Sequence, residues 1–141
     1  MESFRSVNDG LEERLQTYAK SGVTHYYYCP SDDKYCNRWG WKFLYGDMER
    51  KDLKKCKALC IAKGIDFVWT VNPSDSYSWS KQDFDLLLNK LIIMYYDGVR
   101  NFALRLPEDE AKIASTLSAL QQDFVARMPQ PVTVQVINHI P

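Results

Sequence analysis

The chain has 141 residues, a formal net charge of zero, and is 45% hydrophobic and 26% charged. That length suits one domain over 1–141, in which roughly 68–70% of the unfolded surface is buried on folding. The composition argues against disorder, collagen and coiled coil. The balanced charge argues against nucleic acid or an anionic membrane as partner.

Asn8 or Asp9 is placed to cap a first helix over 11–21 that ends at Gly22. A β-rich run follows over 24–29, closed by Pro30, and then a loop over 31–47 rich in Asp and aromatic residues. A lysine-rich helix over 48–63 ends at Gly64, and a second strand over 66–71 stops at Asn72-Pro73. The next helix runs over 80–97, with Ser80 and Asp83 as a capping box and Gly98 as terminator. A third strand over 101–106 ends at Pro107, and a helix over 108–128 and a fourth strand over 132–137 complete the series. No linker or low-complexity stretch divides it.

Strands alternating with helices imply an α/β fold, a parallel sheet of about four strands with right-handed crossovers. Ligands gather at the carboxyl ends of such strands. Those ends carry Asp32, Asp33 and Tyr35 after the first strand, Asn72, Ser74 and Asp75 after the second, Glu108 and Asp109 after the third, with Arg105 near that strand's end, and Asn138 and His139 after the fourth. For Ser80, Asp83, Glu108 and Asp109, helix capping is the better explanation. For Asp32 and Asp33 an Asx turn after Pro30 is favoured over sugar binding.

The strands also alternate. Phe67, Trp69 and Val71 oppose Val68 and Thr70, Phe102, Leu104 and Leu106 oppose Ala103 and Arg105, and Val132, Val134 and Val136 oppose Thr133 and Gln135. The Phe/Leu/Val set is expected on the helices, and the Arg/Thr/Gln set on a wet face or against a partner. An unpaired buried guanidinium is costly, so Arg105 must reach water, a carboxylate or a ligand.

The four cysteines lack the paired spacing of a zinc site and read as ordinary thiols, so neither metal nor cofactor is expected. Trp39, Trp41, Trp69 and Trp79 read first as packing residues, although rings beside acids also suit a sugar, and Tyr35 fits either role. The longest apolar run, 86–94, is broken by Asn89 and Lys90 and falls short of the ~18–20 residues of a membrane span. The first 20 residues hold no apolar signal segment, which suits a cytoplasmic chain, or a secreted one if it is cut from a longer precursor.

Ile65-Asp-Phe-Val-Trp69, Asn72-Pro73, the run from Trp79 to Lys90 and the run from Met94 to Leu104 resemble the catalytic barrel of glycoside hydrolase family 84, the retaining β-N-acetylglucosaminidases that include O-GlcNAcases. The run from Tyr26 to Tyr35 is similar to that family's second-strand motif, and Val136 to Pro141 sits where the family has an apolar strand ending near Cys-Pro-Thr. The resemblance implies a partial TIM-barrel-like sheet, a half-barrel, because a full barrel needs ~250 residues. It also implies an N-acetylhexosamine-type saccharide as ligand.

The family's two adjacent catalytic aspartates follow the Phe-Ala-Leu strand. One polarises the substrate's own acetamido group and the other is the general acid/base, a substrate-assisted form of retention. At those positions this chain has Pro107 and Glu108, and proline has no proton to transfer. A shift by one residue restores a carboxylate pair, Glu108 and Asp109, with each side chain turned differently. The lysine of the family's sugar pocket is Ser31 here.

Three readings follow: a non-catalytic module that binds a saccharide or assembles with a partner, an active glycosidase using Glu108 and Asp109, and a purely structural domain. A sheet cut from a barrel leaves a bare face and bare edges, so homodimerisation through either is expected.

Overall fold

Four short strands run parallel in chain order, β1-β2-β3-β4, in one open sheet. The computed structural model describes residues 10–30 and 33–137. The proposed caps Asn8 and Asp9, and the candidate residues Asp32, Asn138 and His139, lie outside them.

The elements are α1 (Leu11–Lys20), β1 (His25–Tyr28), α2 (Asp47–Ala62), β2 (Asp66–Val71), α3 (Lys81–Tyr96), β3 (Asn101–Leu104), α4 (Glu110–Leu120) and β4 (Thr133–Val136), with short 3-10 turns at Arg38–Lys42 and Ser74–Ser76. The helix ends follow from local chemistry. After α2, Gly64 takes φ 72° and the amide of Ile65 donates to the carbonyl of Cys60 at 2.9 Å, turning the chain into β2. At the start of α3, Ser80 Oγ accepts from the amide of Asp83 at 3.1 Å, while the Asp83 carboxylate accepts from the amide of Ser78 at 2.8 Å. The expected Ser80 cap forms, while the Asp83 side chain bonds to Ser78 and not back to Ser80 as a capping box would.

Most boundaries shift by one or two residues from the sequence reading, and two of the differences have a visible cause. β3 stops at Leu104, because the chain turns toward Pro107, which cannot donate to a ladder. The last helix gives way after Leu120 to a wide π turn, Gln121–Val125, that buries Phe124 against Phe102 with ring centroids 5.2 Å apart.

The register places Tyr28, Trp69, Phe102 and Val134 in one row across the sheet. With sequential strand order and right-handed crossovers, all helices lie on one side. The Trp69, Phe102 and Phe124 rings interlock edge to face there. Val68, Thr70 and Ala103 point to the opposite, concave side, yet each is fully buried. The expectation of a wet face therefore holds for Arg105 and Thr133, which are exposed, and fails at the centre. Across this side Gln135 Nε2 of β4 donates to the Tyr27 hydroxyl of β1, at 3.1 Å.

The four cysteines are buried thiols. No helix among the described residues is long and apolar enough to cross a membrane.

Candidate functional site

The loops after β1, β2 and β3 meet at the carboxyl ends of the strands, and the first is fixed from beneath. Asp33 is buried there. Its Oδ1 accepts from the amide of Tyr35 at 2.9 Å, the expected Asx turn, and its Oδ2 accepts from the hydroxyls of Tyr28 at 2.6 Å and Tyr45 at 2.8 Å. Burial and the Asp33 charge hold both phenols well above the ordinary tyrosine range.

Lys90 of α3 rises into the same loop, only 1% exposed. Its ammonium donates to the carbonyls of Tyr35 at 2.7 Å, Trp41 at 3.2 Å and Phe43, and lies over the rings of Tyr45 and Trp69. Burial pushes this amine down to about 8. One cation thus replaces the missing donors of three loop carbonyls.

The first and second loops are stitched together. The Arg38 amide donates to the Asn72 carbonyl at 2.9 Å, the Asn72 amide donates to the Cys36 carbonyl at 2.6 Å, and Ser76 Oγ donates to the Arg38 carbonyl at 3.0 Å. Within this seam two non-glycine residues have left-handed backbone, Arg38 at φ 42° and Ser74 at φ 54°. Such strain persists only where surrounding structure over-determines it, and it gathers at functional sites.

Above the seam lies an open cleft of about 580 Å³, walled by Lys34, Asn37, Arg38, Trp39, Asn72 and Arg105, with Gly40 and Ser74 completing the lining. That size suits a small ligand. A recess of about 290 Å³ shares Arg38, Trp39 and Ser74, and one of about 140 Å³ shares Ser74 and Arg105 and runs past Asp75, Pro107 and Glu108. Lys34, Arg38 and Arg105 are exposed and form no ion pair with a carboxylate of the described residues. The side-chain oxygen of Asn72 is buried without a hydrogen-bond partner. The rim carries Trp39, 67% exposed.

The structure thus brings Asn72 and Arg105 into one cleft and sets Glu108 in the adjoining recess. Asp109 is turned to α4, where its Oδ1 caps the amide of Lys112 at 3.1 Å. Asp33 has both oxygens engaged below the loop, and Tyr35 is half-buried against Tyr45, with ring centroids 4.9 Å apart. The expected packing role fits Trp41 and Trp69, both fully buried, and Trp79, which meets Tyr77 edge to face, but not the exposed Trp39. Sequence reasoning missed Lys34, Asn37 and Arg38. The available signal was the interleaving of basic and aromatic residues over 34–42, visible as Lys34-Tyr35, Arg38-Trp39 and Trp41-Lys42. Among the described residues no cluster of three His, Cys, Asp or Glu side chains forms a metal-binding group.

The profile of the beta-N-acetylglucosaminidase family matches residues 9–139, nearly the whole chain. The chain belongs to the beta-N-acetylglucosaminidase family. Among solved structures it is similar to CpGH84B, with 22% identity and a TM-score of 0.77 over 89% of this chain and 23% of that one. It is also similar to a mutant of the O-GlcNAc hydrolase of Thermobaculum terrenum, with 17% identity and a TM-score of 0.74 over 88% of this chain and 30% of that one. The chain spans less than a third of the length of these structures. The shared fold is part of a TIM barrel, four consecutive parallel strands with their helices, and the cleft lies at the carboxyl ends of those strands.

Proposed function

We propose that this chain is a non-catalytic, saccharide-binding member of the beta-N-acetylglucosaminidase family. The observation that carries this reading is Pro107, which stands where the first of two adjacent aspartates is expected. Substrate-assisted hydrolysis needs two carboxylates fixed at the strand end, with environments that push their proton affinities apart. Glu108 is exposed and Asp109 is engaged as a helix cap, so neither stands in the enclosed, paired setting such chemistry uses. The cleft instead supports binding, with an exposed indole to stack on a pyranose face and, at Asn72, a side-chain oxygen that lacks a donor.

The test is hydrolysis of a chromogenic N-acetylglucosaminide, alongside calorimetry with N-acetylglucosamine. Binding without release of chromophore is the expected result. Release that tracks the protein through purification and is lost in Glu108→Gln and Asp109→Asn would establish the active alternative instead. Asparagine can still cap α4, so the second variant separates chemistry from folding. Absence of binding by any saccharide at millimolar concentration would leave only a structural domain.

Assembly is a second element of the proposal. The outer edges of β1 and β4 have no strand partner among the described residues, and such edges invite pairing with another copy. Light scattering at micromolar concentration is expected to give a dimer, and a monomeric mass would remove this element.

A further inference from the structure

We propose that the cleft selects an anionic saccharide, a sugar bearing a sulfate, phosphate or carboxylate group, with Arg38 and Arg105 gripping the anion. This inference rests on the saccharide-binding reading above and goes beyond it by naming the charge of the ligand.

Sites for neutral sugars commonly meet hydroxyls with carboxylates and amides. Among the described residues, the walls of the 580 Å³ cleft contain three cationic side chains and no carboxylate. The nearby acids of the described residues are held elsewhere: Asp33 lies under the loop with Tyr28 and Tyr45, and Asp83 faces Lys42 at 3.3 Å. Asp75 and Glu108 line the adjoining recess. In a chain of zero net charge, this local excess is not the by-product of a basic protein.

Both arginines are mounted on fixed backbone. The Arg105 amide donates to the carbonyl of Val71 at 2.9 Å, and Arg38 is held at both its amide and its carbonyl by the second loop. From these anchored backbones each guanidinium presents a fork of donors that matches the oxygens of a sulfate, phosphate or carboxylate. The anion alone does not account for the whole site. The buried Asn72 oxygen is an acceptor lacking a donor, a need met by a hydroxyl or N–H and not by an inorganic anion. The exposed Trp39 ring has one neighbour in the Lys42 ammonium, 5.5 Å from its centroid, and offers its remaining surface to a sugar face. Cations and a hydroxyl-seeking oxygen in one cleft together specify a charged sugar.

The experiment is calorimetry on the full chain at low ionic strength with three probes: N-acetylglucosamine 6-sulfate, N-acetylglucosamine and sodium sulfate. The sulfated sugar is expected to bind at least about tenfold tighter than either other probe, and its affinity is expected to fall with added salt. Arg105→Gln and Arg38→Gly should each erase that advantage. Glycine suits the left-handed backbone at position 38, so the second variant retains the fold. Equal affinity for the neutral and sulfated sugars overturns charge selection while the saccharide reading stands. Sulfate binding as tightly as the sulfated sugar overturns the saccharide part alone, and no binding of any probe overturns both.

Discussion

Tyr27 and Gln135 lie 108 positions apart, on the two outermost strands, and are joined by a 3.1 Å hydrogen bond above the two strands between them. Three strand spacings of ~4.8 Å would separate β1 from β4 by ~14 Å in a flat sheet. The two side chains meet because the sheet curls, as a segment of a barrel must. Their contact spans the concave side like a roof, and Val68, Thr70 and Ala103 at its centre are fully buried.

Removing that roof should be measurable. Tyr27→Phe is expected to lower stability by ~0.5–1.5 kcal/mol, the ordinary worth of one such bond. Gln135→Ala should also open the concave centre and raise the binding of a hydrophobic dye. Urea titration gives the first quantity and dye fluorescence the second. Unchanged values in both variants would show that the contact contributes nothing.

Lys90→Met should be far more damaging. Methionine matches much of the stem but leaves the carbonyls of Tyr35, Trp41 and Phe43 without their shared donor. A loss of ~3–5 kcal/mol is expected, in line with uncompensated buried polar groups. The change should be visible as a fall in thermal midpoint and as faster amide exchange through residues 33–45.

Alkaline titration carries two opposed signals. Unfolded lysine holds its proton to ~10.4, whereas Lys90 releases it near 8. Between these values the unfolded chain binds more protons, so Lys90 makes stability rise with pH. Tyr28 and Tyr45 act oppositely, since unfolded phenols ionise near ~10 while the folded ones stay protonated, and stability falls above that pH. Absorbance at 295 nm should show two tyrosines that ionise only as the protein unfolds. Full ionisation of all tyrosines in the native state would contradict the buried Asp33 cluster.

Gly40→Ala tests how closely the cleft walls approach. A Cβ at position 40 would lie 1.9 Å from the carbonyl oxygen of Lys34, which is backbone and cannot swing aside. Destabilisation of ~1–3 kcal/mol is expected, as for other overpacked sites, together with loss of ligand binding because Lys34 and Arg38 share that loop. Normal stability and normal binding by calorimetry would show a looser loop.

Much of the fold was legible because its signals are local. Gly64 and Gly98 end helices, the Ser80 cap starts one, and alternation in Phe102-Ala103-Leu104 separates the two faces of a strand. The roof over Val68 and Thr70 was not legible, since it depends on sheet curvature and on a residue more than sixty positions away. Lys90 read as an interruption of an apolar helix, and only the folded loop reveals the three carbonyls that explain it. The site was half legible. Arg105 and Asn72 could be placed at strand ends, but Lys34 and Arg38 sit in an irregular loop whose path is fixed by contacts with the next loop and not by periodicity.

The sequential strand order has a consequence for how the chain emerges during synthesis. Each strand pairs with the one made just before it, so the sheet can grow one ribbon at a time without waiting for distant sequence. Among the described residues, the clasp between the first and last of these ribbons joins positions 108 apart, which makes it a natural reporter that all four have paired.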